Sequence, residues 1–108
     1  MLTLVTGASG QLGRSIKNLV KLQNISNSFV FTTRDQLDLS YLNKIQSYFK
    51  DHKFDLIINC AAYTKVDKAE LDEKQANLIN HLAVKKIAEI AQSNNIKLIH
   101  ISTDFVFD

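Results

Sequence analysis

Four short apolar runs alternate with segments of helical periodicity along the whole chain. The runs cover residues 2–5, 28–33, 55–59 and 97–103, and each has the length of one strand. Strands that are apolar on both faces and separated by helices are typical of a parallel sheet covered on both sides. Right-handed crossovers leave few arrangements of such units. We therefore predict an α/β fold with a doubly wound parallel sheet, in the strand order 3-2-1-4, that is truncated after the fourth strand.

Three segments between these runs carry the apolar spacing of amphipathic helices. The first begins at Gln11, the second follows Ser40 as its predicted N-cap, and the third covers residues 72–93 before Asn94 and Asn95 end it. The apolar positions are Leu12, Ile16, Leu19, Val20 and Leu22 in the first helix, Leu42, Ile45 and Phe49 in the second, and Ala76, Ile79, Ala83, Ile87, Ile90 and Ala91 in the third. Each helix is therefore expected to bury one face against the sheet.

Length and composition limit what the chain can be. Its 108 residues allow one domain, and 45% of them are hydrophobic, as in ordinary soluble proteins. The net charge is +2 without a basic block, which speaks against nucleic-acid binding. No apolar run reaches the roughly 18 residues that cross a membrane, and the N-terminus lacks the basic region of a signal peptide. The single cysteine, Cys60, cannot form an internal disulfide, so we expect a cytoplasmic protein.

Three glycines connect the first apolar run to the first helix. Gly7, Gly10 and Gly13 stand in a G-x-x-G-x-x-G spacing, which in a strand–loop–helix context is typical of dinucleotide-binding Rossmann folds. We expect Gly7 to allow the tight turn, Gly10 to let the backbone approach a pyrophosphate, and Gly13 to let the helix pack closely on the sheet. The alternative is a tight turn without a ligand.

The end of the second run favours NADP(H) over NAD(H). NAD-binding folds place a carboxylate there for the ribose 2′-hydroxyl, whereas this chain has Thr32 and Thr33 followed by Arg34, which can pair with a 2′-phosphate. Asp35 could instead swing toward the ribose, and Arg34 could be a solvated surface residue. Farther along, Asp38 could accept a hydrogen bond from the adenine amino group or simply be an acidic residue near a helix start.

The segment "NCAAYTKVDKAE", residues 59–70, resembles the N-A-A-x-T-x-V-D-x-A-E segment of dTDP-4-dehydrorhamnose reductases, which are extended short-chain dehydrogenases/reductases. "TGASGQLG", "LDLS", Asn80 and "STDFVF" fall in the same order and spacing as in that family, so the resemblance covers the whole chain. The resemblance implies a Rossmann-type sheet and reduction of the C4 ketone of dTDP-4-dehydro-L-rhamnose to dTDP-L-rhamnose by a nicotinamide cofactor.

The resemblance also implies roles for individual residues. Many relatives carry Asp where this chain has Thr33, and the loss of that charge favours NADP(H). Thr103 is the implied active-site hydroxyl, and Thr103 and Asp104 are the implied contacts of the sugar nucleotide. The implied cofactor contacts are Gly10, Gln11 and Leu12 for the pyrophosphate, Asp38 and Leu39 for the adenine end, Ala62, Tyr63 and Thr64 for the nicotinamide-side ribose and phosphate, and Ile101 at the nicotinamide pocket.

The family's proton donor is a tyrosine in a Tyr-x-x-x-Lys motif, and residues 1–108 hold none. Tyr48 has its lysine two positions later, and neither Tyr41 nor Tyr63 fits the motif. We therefore expect the chain to be the cofactor-binding portion of a longer enzyme, inactive by itself and without the substrate-binding C-terminal part. The expected partners are a dTDP-sugar and, as a candidate assembly, a second copy of the chain, but neither nucleic acid nor a membrane.

Other functions fit parts of the same pattern. A related epimerase or dehydratase acting on another nucleotide sugar would share the cofactor half, and a non-catalytic nucleotide-binding subunit would need no Tyr-Lys pair. Cys60 is expected to be a small core residue, and the three histidines lack the spacing of a metal site. Asn80 is expected either to bond the backbone near Thr103 or to face solvent.

Overall fold

The computed structural model describes residues 1–60 and 81–101. A parallel sheet and three α-helices make up this part of the chain, with one 3₁₀ turn at Ser26–Ser28. The elements are β1 (Thr3–Thr6), α1 (Gln11–Leu22), β2 (Phe29–Thr32), α2 (Leu42–Asp51), β3 (Leu56–Asn59), α3 (Ala83–Ser93) and β4 (Lys97–His100). The α/β class and the alternation of strands and helices are confirmed. The predicted helical residues 72–80 and strand residues 102–103 lie outside the described residues.

The strands are all parallel and stand in the order β2-β1-β3-β4. The predicted order 3-2-1-4 is therefore wrong, because β3 pairs with β1 rather than with β2. All four residues of β1 are buried, so this strand needs a neighbour on each side, whereas β2 is only half-buried over three of its four residues and forms an edge. The connection from β2 to β3 consequently crosses β1, and the chain reverses its direction across the sheet there. Such a reversal is where open α/β sheets bind ligands, outside the carboxyl ends of the strands.

The main core lies between one face of the sheet and the helices α2 and α3. Leu4 of β1 and Ile57 of β3 are partners in the register, so their side chains lie on the same face of the sheet. Both side chains are fully buried. The cluster of buried residues on this face is Leu4, Leu37, Leu39, Ile45, Phe49, Phe54, Ile57, Ala83, Ile87, Ile90 and Ala91. The predicted inward faces of the second helix and of the described part of the third are thereby confirmed.

The opposite face of the sheet carries α1, and its packing is thinner. The Lys17 ammonium of α1 lies 5.8 Å from the centre of the Phe31 ring, which places the helix over this side of β2. Val20 is buried as predicted, but Leu19 and Leu22 are 58% and 79% exposed. The prediction that all the apolar residues of α1 form one buried face is therefore wrong within the described structure.

Two helix ends show how local chemistry sets the boundaries. Ser40 was the predicted N-cap of α2, but the N-cap position is Tyr41, whose carbonyl accepts the N–H groups of Lys44 and Ile45. Ser40 instead bonds to Asp38.

At the end of α3, the Asn94 side chain donates to the Ile90 carbonyl at 2.8 Å, and Asn95 adopts a positive φ of 57°, which asparagine tolerates better than most residues. The predicted end of this helix is confirmed.

Candidate functional site

The glycine loop between β1 and α1 is shaped by backbone approaches that side chains would block. Gly7 has a φ of 67°, in the left-handed region that favours glycine. A Cβ atom at Gly13 would lie 2.6 Å from the Ala8 Cα and still closer to the Gly7 carbonyl oxygen. The predicted role of Gly7 in the turn is confirmed. Gly13 also allows a close approach, but to the backbone of the loop rather than, as predicted, to the sheet. At Gly10 a Cβ would meet only ordinary contacts, at 3.4 Å from the Gly7 oxygen.

The first turn of α1 offers backbone donors with no competing acid. Helix geometry leaves the first N–H groups without partners inside the helix. The Gly10 N–H donates to the Gly7 carbonyl at 3.1 Å, and the helix's own bonds begin with the Arg14 N–H, which donates to the Gly10 carbonyl at 2.9 Å. The first turn contains no acidic residue, and no side chain caps it. Gln11 and Leu12 are exposed there. These donors, the positive end of the helix dipole and the lack of a side chain at Gly10 fit a pyrophosphate group.

The glycine loop is tied to the end of β2. The Ala8 N–H donates to the Thr32 carbonyl at 3.0 Å, and the Thr32 hydroxyl donates to the Val5 carbonyl at 3.2 Å. These bonds hold the glycine loop beside the turn that begins at Thr33. A dinucleotide whose pyrophosphate lay at the loop would therefore have its adenosine ribose near this turn.

Arg34 and Asp38, for which the sequence predicted separate contacts, form an ion pair with each other. The Arg34 Nε lies 3.4 Å from the Asp38 Oδ2, and the Arg34 side chain remains 70% exposed. The Asp38 Oδ1 accepts from both the backbone N–H of Ser40, at 3.0 Å, and the Ser40 hydroxyl, at 2.5 Å. Burial alone would raise the pKa of the Asp38 carboxyl, but the hydrogen bonds from Ser40 and then the Arg34 guanidinium outweigh it and lower this pKa. Asp38 is thus a charged anchor that restrains Arg34.

The same turn contains a residue that the sequence analysis did not single out. Gln36 accepts hydrogen bonds at its side-chain oxygen from the Thr33 backbone N–H, at 2.7 Å, and from the Thr33 hydroxyl. A Thr followed three residues later by Gln is the capping-box spacing, which could have indicated this contact. Leu39, the other predicted adenine contact, is 5% exposed and belongs to the core. Packing in the core is therefore enough to explain an apolar residue at this position, without a ligand.

Polar side chains join the carboxyl ends of three neighbouring strands. Thr6, Asn59 and His100 are partners in register at the ends of β1, β3 and β4. Asn59 is fully buried; its Oδ1 accepts the Thr6 hydroxyl, and its Nδ2 lies 3.1 Å from the His100 Nδ1. Because an amide nitrogen only donates, Nδ1 of His100 is the acceptor in this contact. This group was not predicted from the sequence, because strand register cannot be read from one strand alone.

The structure describes two residues that directly follow these strand ends, Cys60 after β3 and Ile101 after β4. The Cys60 N–H donates to the Thr6 carbonyl at 3.3 Å, and burial raises the pKa of its half-buried thiol, which is the behaviour of a structural cysteine. The N–H of Ile101 donates to the Asn59 carbonyl at 3.2 Å, so this predicted pocket residue leaves the sheet at the carboxyl edge. The remaining predicted site residues lie outside the described residues: Ala62, Tyr63, Thr64, Asn80, Thr103 and Asp104.

Two grooves lie on the described surface. One of about 520 Å³ is lined by the turn residues Arg34, Gln36 and Asp38 together with side chains of α2. The other, of about 620 Å³, lies at the amino ends of β3 and β4 and includes Lys50 and Lys53. Although the second groove is larger, it lies at the edge opposite the one where parallel α/β sheets bind ligands. The turn groove is therefore the better candidate for part of a nucleotide site.

Membrane-spanning helices and clusters of metal ligands are both absent from the described part of the chain. None of its helices is long and apolar enough to cross a membrane. Residues 1–60 and 81–101 also contain no group of three or more His, Cys, Asp or Glu side chains that could hold a metal ion.

Comparison with known proteins finds one family over the whole chain. The family model described as "RmlD substrate binding domain" matches residues 1–108. A dTDP-4-dehydrorhamnose reductase of Aggregatibacter actinomycetemcomitans is 40% identical over 97% of this chain and 35% of its own length. A dTDP-4-keto-6-deoxy-D-glucose reductase of Streptomyces niveus is 37% identical over 97% of this chain and 36% of its own length. The chain thus spans about a third of these relatives.

A solved structure shares both fold and sequence with the chain. It is the dTDP-4-dehydrorhamnose reductase of Bacillus anthracis in complex with NADP, with a TM-score of 0.78 and 33% identity. The match covers 97% of this chain and 37% of that protein. The likeness agrees with the strand–helix architecture described above.

Proposed function

Because this chain belongs to the RmlD substrate binding domain family over residues 1–108, we propose that it is the cofactor-binding portion of a nucleotide-sugar reductase. The enzyme of which it forms part reduces the C4 ketone of dTDP-4-dehydro-L-rhamnose to the alcohol, and its cofactor is NADPH. The observation that carries this proposal is the glycine loop, which follows the carboxyl end of β1, requires glycine at Gly13 and is hydrogen-bonded to the end of β2.

NADPH as the cofactor is supported by the chemistry of the turn after β2. The turn begins with Thr33 and Arg34, and the Arg34 guanidinium is largely exposed. A guanidinium can bind a 2′-phosphate through two parallel hydrogen bonds. The related enzyme of Bacillus anthracis, crystallised with NADP, adds support from a protein 33% identical to this chain.

The proposed chemistry divides between this chain and the rest of the enzyme. NADPH, when bound, supplies the hydride that adds to the ketone carbon. The chain holds the adenosine and pyrophosphate portions through its turn and its glycine loop, and Thr103, by resemblance, donates a hydrogen bond to the ketone oxygen as negative charge develops. A Tyr-x-x-x-Lys tyrosine outside residues 1–108 provides the proton that completes the alcohol. The sugar-binding residues beyond Thr103 and Asp104 also belong to the remaining portion.

The test is an assay of the complete enzyme with NADPH and dTDP-4-dehydro-L-rhamnose, followed by nicotinamide absorbance. Thr103→Val should lower kcat on the order of a hundredfold or more, because it removes a donor to the developing oxyanion. The affinity for NADPH should stay unchanged. Thr103→Ser, which keeps the hydroxyl, is the matched control and should retain most of the activity. No sugar-dependent NADPH oxidation would contradict the proposed reaction, and unchanged turnover of Thr103→Val would contradict the role of Thr103.

A second candidate substrate follows from the Streptomyces niveus relative. Its name gives dTDP-4-keto-6-deoxy-D-glucose as the compound reduced, so the C4 ketone and the dTDP group are shared while the sugar differs. The same assay with this second sugar distinguishes the two by their kcat/KM values. An epimerase or dehydratase would convert the nucleotide sugar without net NADPH consumption, so the assay separates these alternatives as well.

A further inference from the structure

Gln36 is fixed in the turn after β2 by a closed set of hydrogen bonds with Thr33. Its Oε1 accepts from the Thr33 backbone N–H and from the Thr33 hydroxyl. In return, the Thr33 carbonyl accepts the backbone N–H groups of Gln36, at 3.1 Å, and of Leu37, at 3.0 Å. The orientation of the Gln36 amide is therefore set, because turning it over would place an N–H group against the Thr33 backbone N–H, which can only donate.

This orientation determines which polar atoms the turn presents to a ligand. With Oε1 occupied twice, the outward group of the exposed Gln36 side chain is its Nε2, which makes no hydrogen bond within residues 1–60 and 81–101. Beside it stands Arg34, which is held through Nε by Asp38 and has a side chain that is 70% exposed. Gln36 and Arg34 thus both offer N–H donors in the groove that they line together.

We propose that Gln36 is a specificity-determining residue that selects a 2′-phosphate over a 2′-hydroxyl on the adenosine ribose of the dinucleotide. This inference rests on the proposed function. Phosphate oxygens only accept hydrogen bonds, so they match the Gln36 Nε2 and the Arg34 guanidinium. A ribose hydroxyl is bound in NAD sites by an accepting carboxylate, and at Gln36 the oxygen that could accept it is already occupied by Thr33.

The experiment compares two adenosine ligands that differ by the phosphate alone. Calorimetric titration of the purified complete enzyme with 2′,5′-ADP and with 5′-AMP gives the preference as a ratio of affinities. Gln36→Met removes the donors without adding charge and should lower the affinity for 2′,5′-ADP roughly tenfold, as expected for one hydrogen bond to a charged group. Its affinity for 5′-AMP should be unchanged. Gln36→Glu can still accept both hydrogen bonds from Thr33, but it replaces the N–H donors by a negative charge. The ratio of the affinity for 2′,5′-ADP to that for 5′-AMP should therefore fall further in this variant.

The matched control is Gln46→Glu, which makes the same charge change at an exposed position on α2. This variant should retain the preference of the wild type. The inference is overturned if both Gln36 variants keep the wild-type ratio, or if they weaken both ligands equally, while the proposed cofactor role survives either outcome. Wild-type protein that binds neither ligand overturns the cofactor role itself. Thermal unfolding shows whether each variant is folded. If Gln36→Met is not folded, the affinities measured with Gln36→Glu decide between the outcomes.

Discussion

The Thr6 hydroxyl donates a hydrogen bond to the Asn59 Oδ1 across the junction between the first and third strands, where both side chains are buried. Thr6→Val keeps the shape of the side chain but leaves this oxygen without its donor, which should lower the free energy of unfolding by about 1–3 kcal/mol. Urea unfolding measures the change. Thr3→Val is the control, because Thr3 is buried in the same strand but is not the partner of Asn59. Equal losses in both variants would contradict the importance of the Asn59 bond.

Gly13 and Gly10 should respond differently to the same substitution. Gly13→Ala would place a Cβ 2.6 Å from the Ala8 Cα, and this overpacking should cost about 1–3 kcal/mol, more than the roughly 1 kcal/mol that alanine gains inside a helix. Gly10→Ala meets only a 3.4 Å contact, so its stability should stay near that of the wild type. If the loop binds a pyrophosphate, however, Gly10→Ala should still weaken NADPH binding. Chemical unfolding and calorimetry on both variants separate the two effects, and a stable Gly13→Ala protein would contradict the packing argument.

Arg34 should carry most of the preference for NADPH over NADH. Arg34→Ala removes the guanidinium proposed to pair with the 2′-phosphate, so the affinity for NADPH should fall toward that for NADH, whose own affinity should change little. Calorimetry on the complete enzyme measures both. Lys21→Ala, which removes a charge from the last turn of α1, is the control. Equal affinities of the wild type for the two cofactors would contradict the prediction before any variant is made.

Asp38 should make stability depend on pH in the acid range. Its pKa is lowered in the folded protein, so its ionised form stabilises the fold fully at pH values above the pKa of the unfolded chain. That stabilisation is lost as the pH falls through the lower folded pKa. Asp38→Asn should therefore cost about 0.5–1 kcal/mol at pH 7, as expected for an ion pair near the surface, and less at pH 3. Urea unfolding at the two pH values tests this, with the exposed Asp35→Asn as control, and a pH-independent loss would point to the hydrogen bonds alone.

Residues 1–108 should show no reductase activity when purified by themselves. None of their three tyrosines is followed by lysine at the fourth position, so they contain no Tyr-x-x-x-Lys proton donor. NADPH binding should be weak at best, because the proposed contacts of the remaining portion are missing. Nicotinamide absorbance with the dTDP-sugar measures activity. Measurable turnover would show that the chain itself supplies the proton.

The same isolated residues should self-associate at moderate concentration. The outer edge of β4 pairs with no strand among the described residues, and Ile99 on this strand is 48% exposed. An open strand edge with apolar side chains is a template for association. Ile99→Lys should lower the mean particle mass in light scattering, whereas Leu22→Lys, which changes an exposed leucine on α1, should have less effect. A wild-type fragment that stays monomeric would contradict this prediction.

Local features were predicted best from the sequence. The glycine spacing located the loop correctly because Gly7 and Gly13 meet constraints that arise within a few residues of chain. The strands and helices were likewise placed to within one or two residues wherever the structure describes them. Here the patterns of period 2 and period 3.6 decide the outcome locally.

Contacts that depend on spatial arrangement were not predictable in the same way. The strand order was wrong because an apolar run on both faces shows that a strand is interior, but not which neighbour it takes. Ser40 was misassigned as an N-cap because Asp38, two residues earlier, competes for its N–H and hydroxyl. The pairing of Thr6 with Asn59 required the register between strands that are 53 positions apart.

The separation of 53 positions between paired residues of β1 and β3 also affects folding during synthesis. β1 lies at the centre of the sheet and pairs with residues 29–32 on one side and 56–59 on the other. A further bond joins the Leu2 N–H to the Asp55 carboxylate at 2.8 Å. During synthesis, the first strand therefore emerges from the ribosome long before its second neighbour, and β1 and β2 alone form only a two-stranded ribbon, which is marginally stable in water. We expect stable folding to begin only after β3 has emerged, so nascent chains arrested before that point should be sensitive to protease.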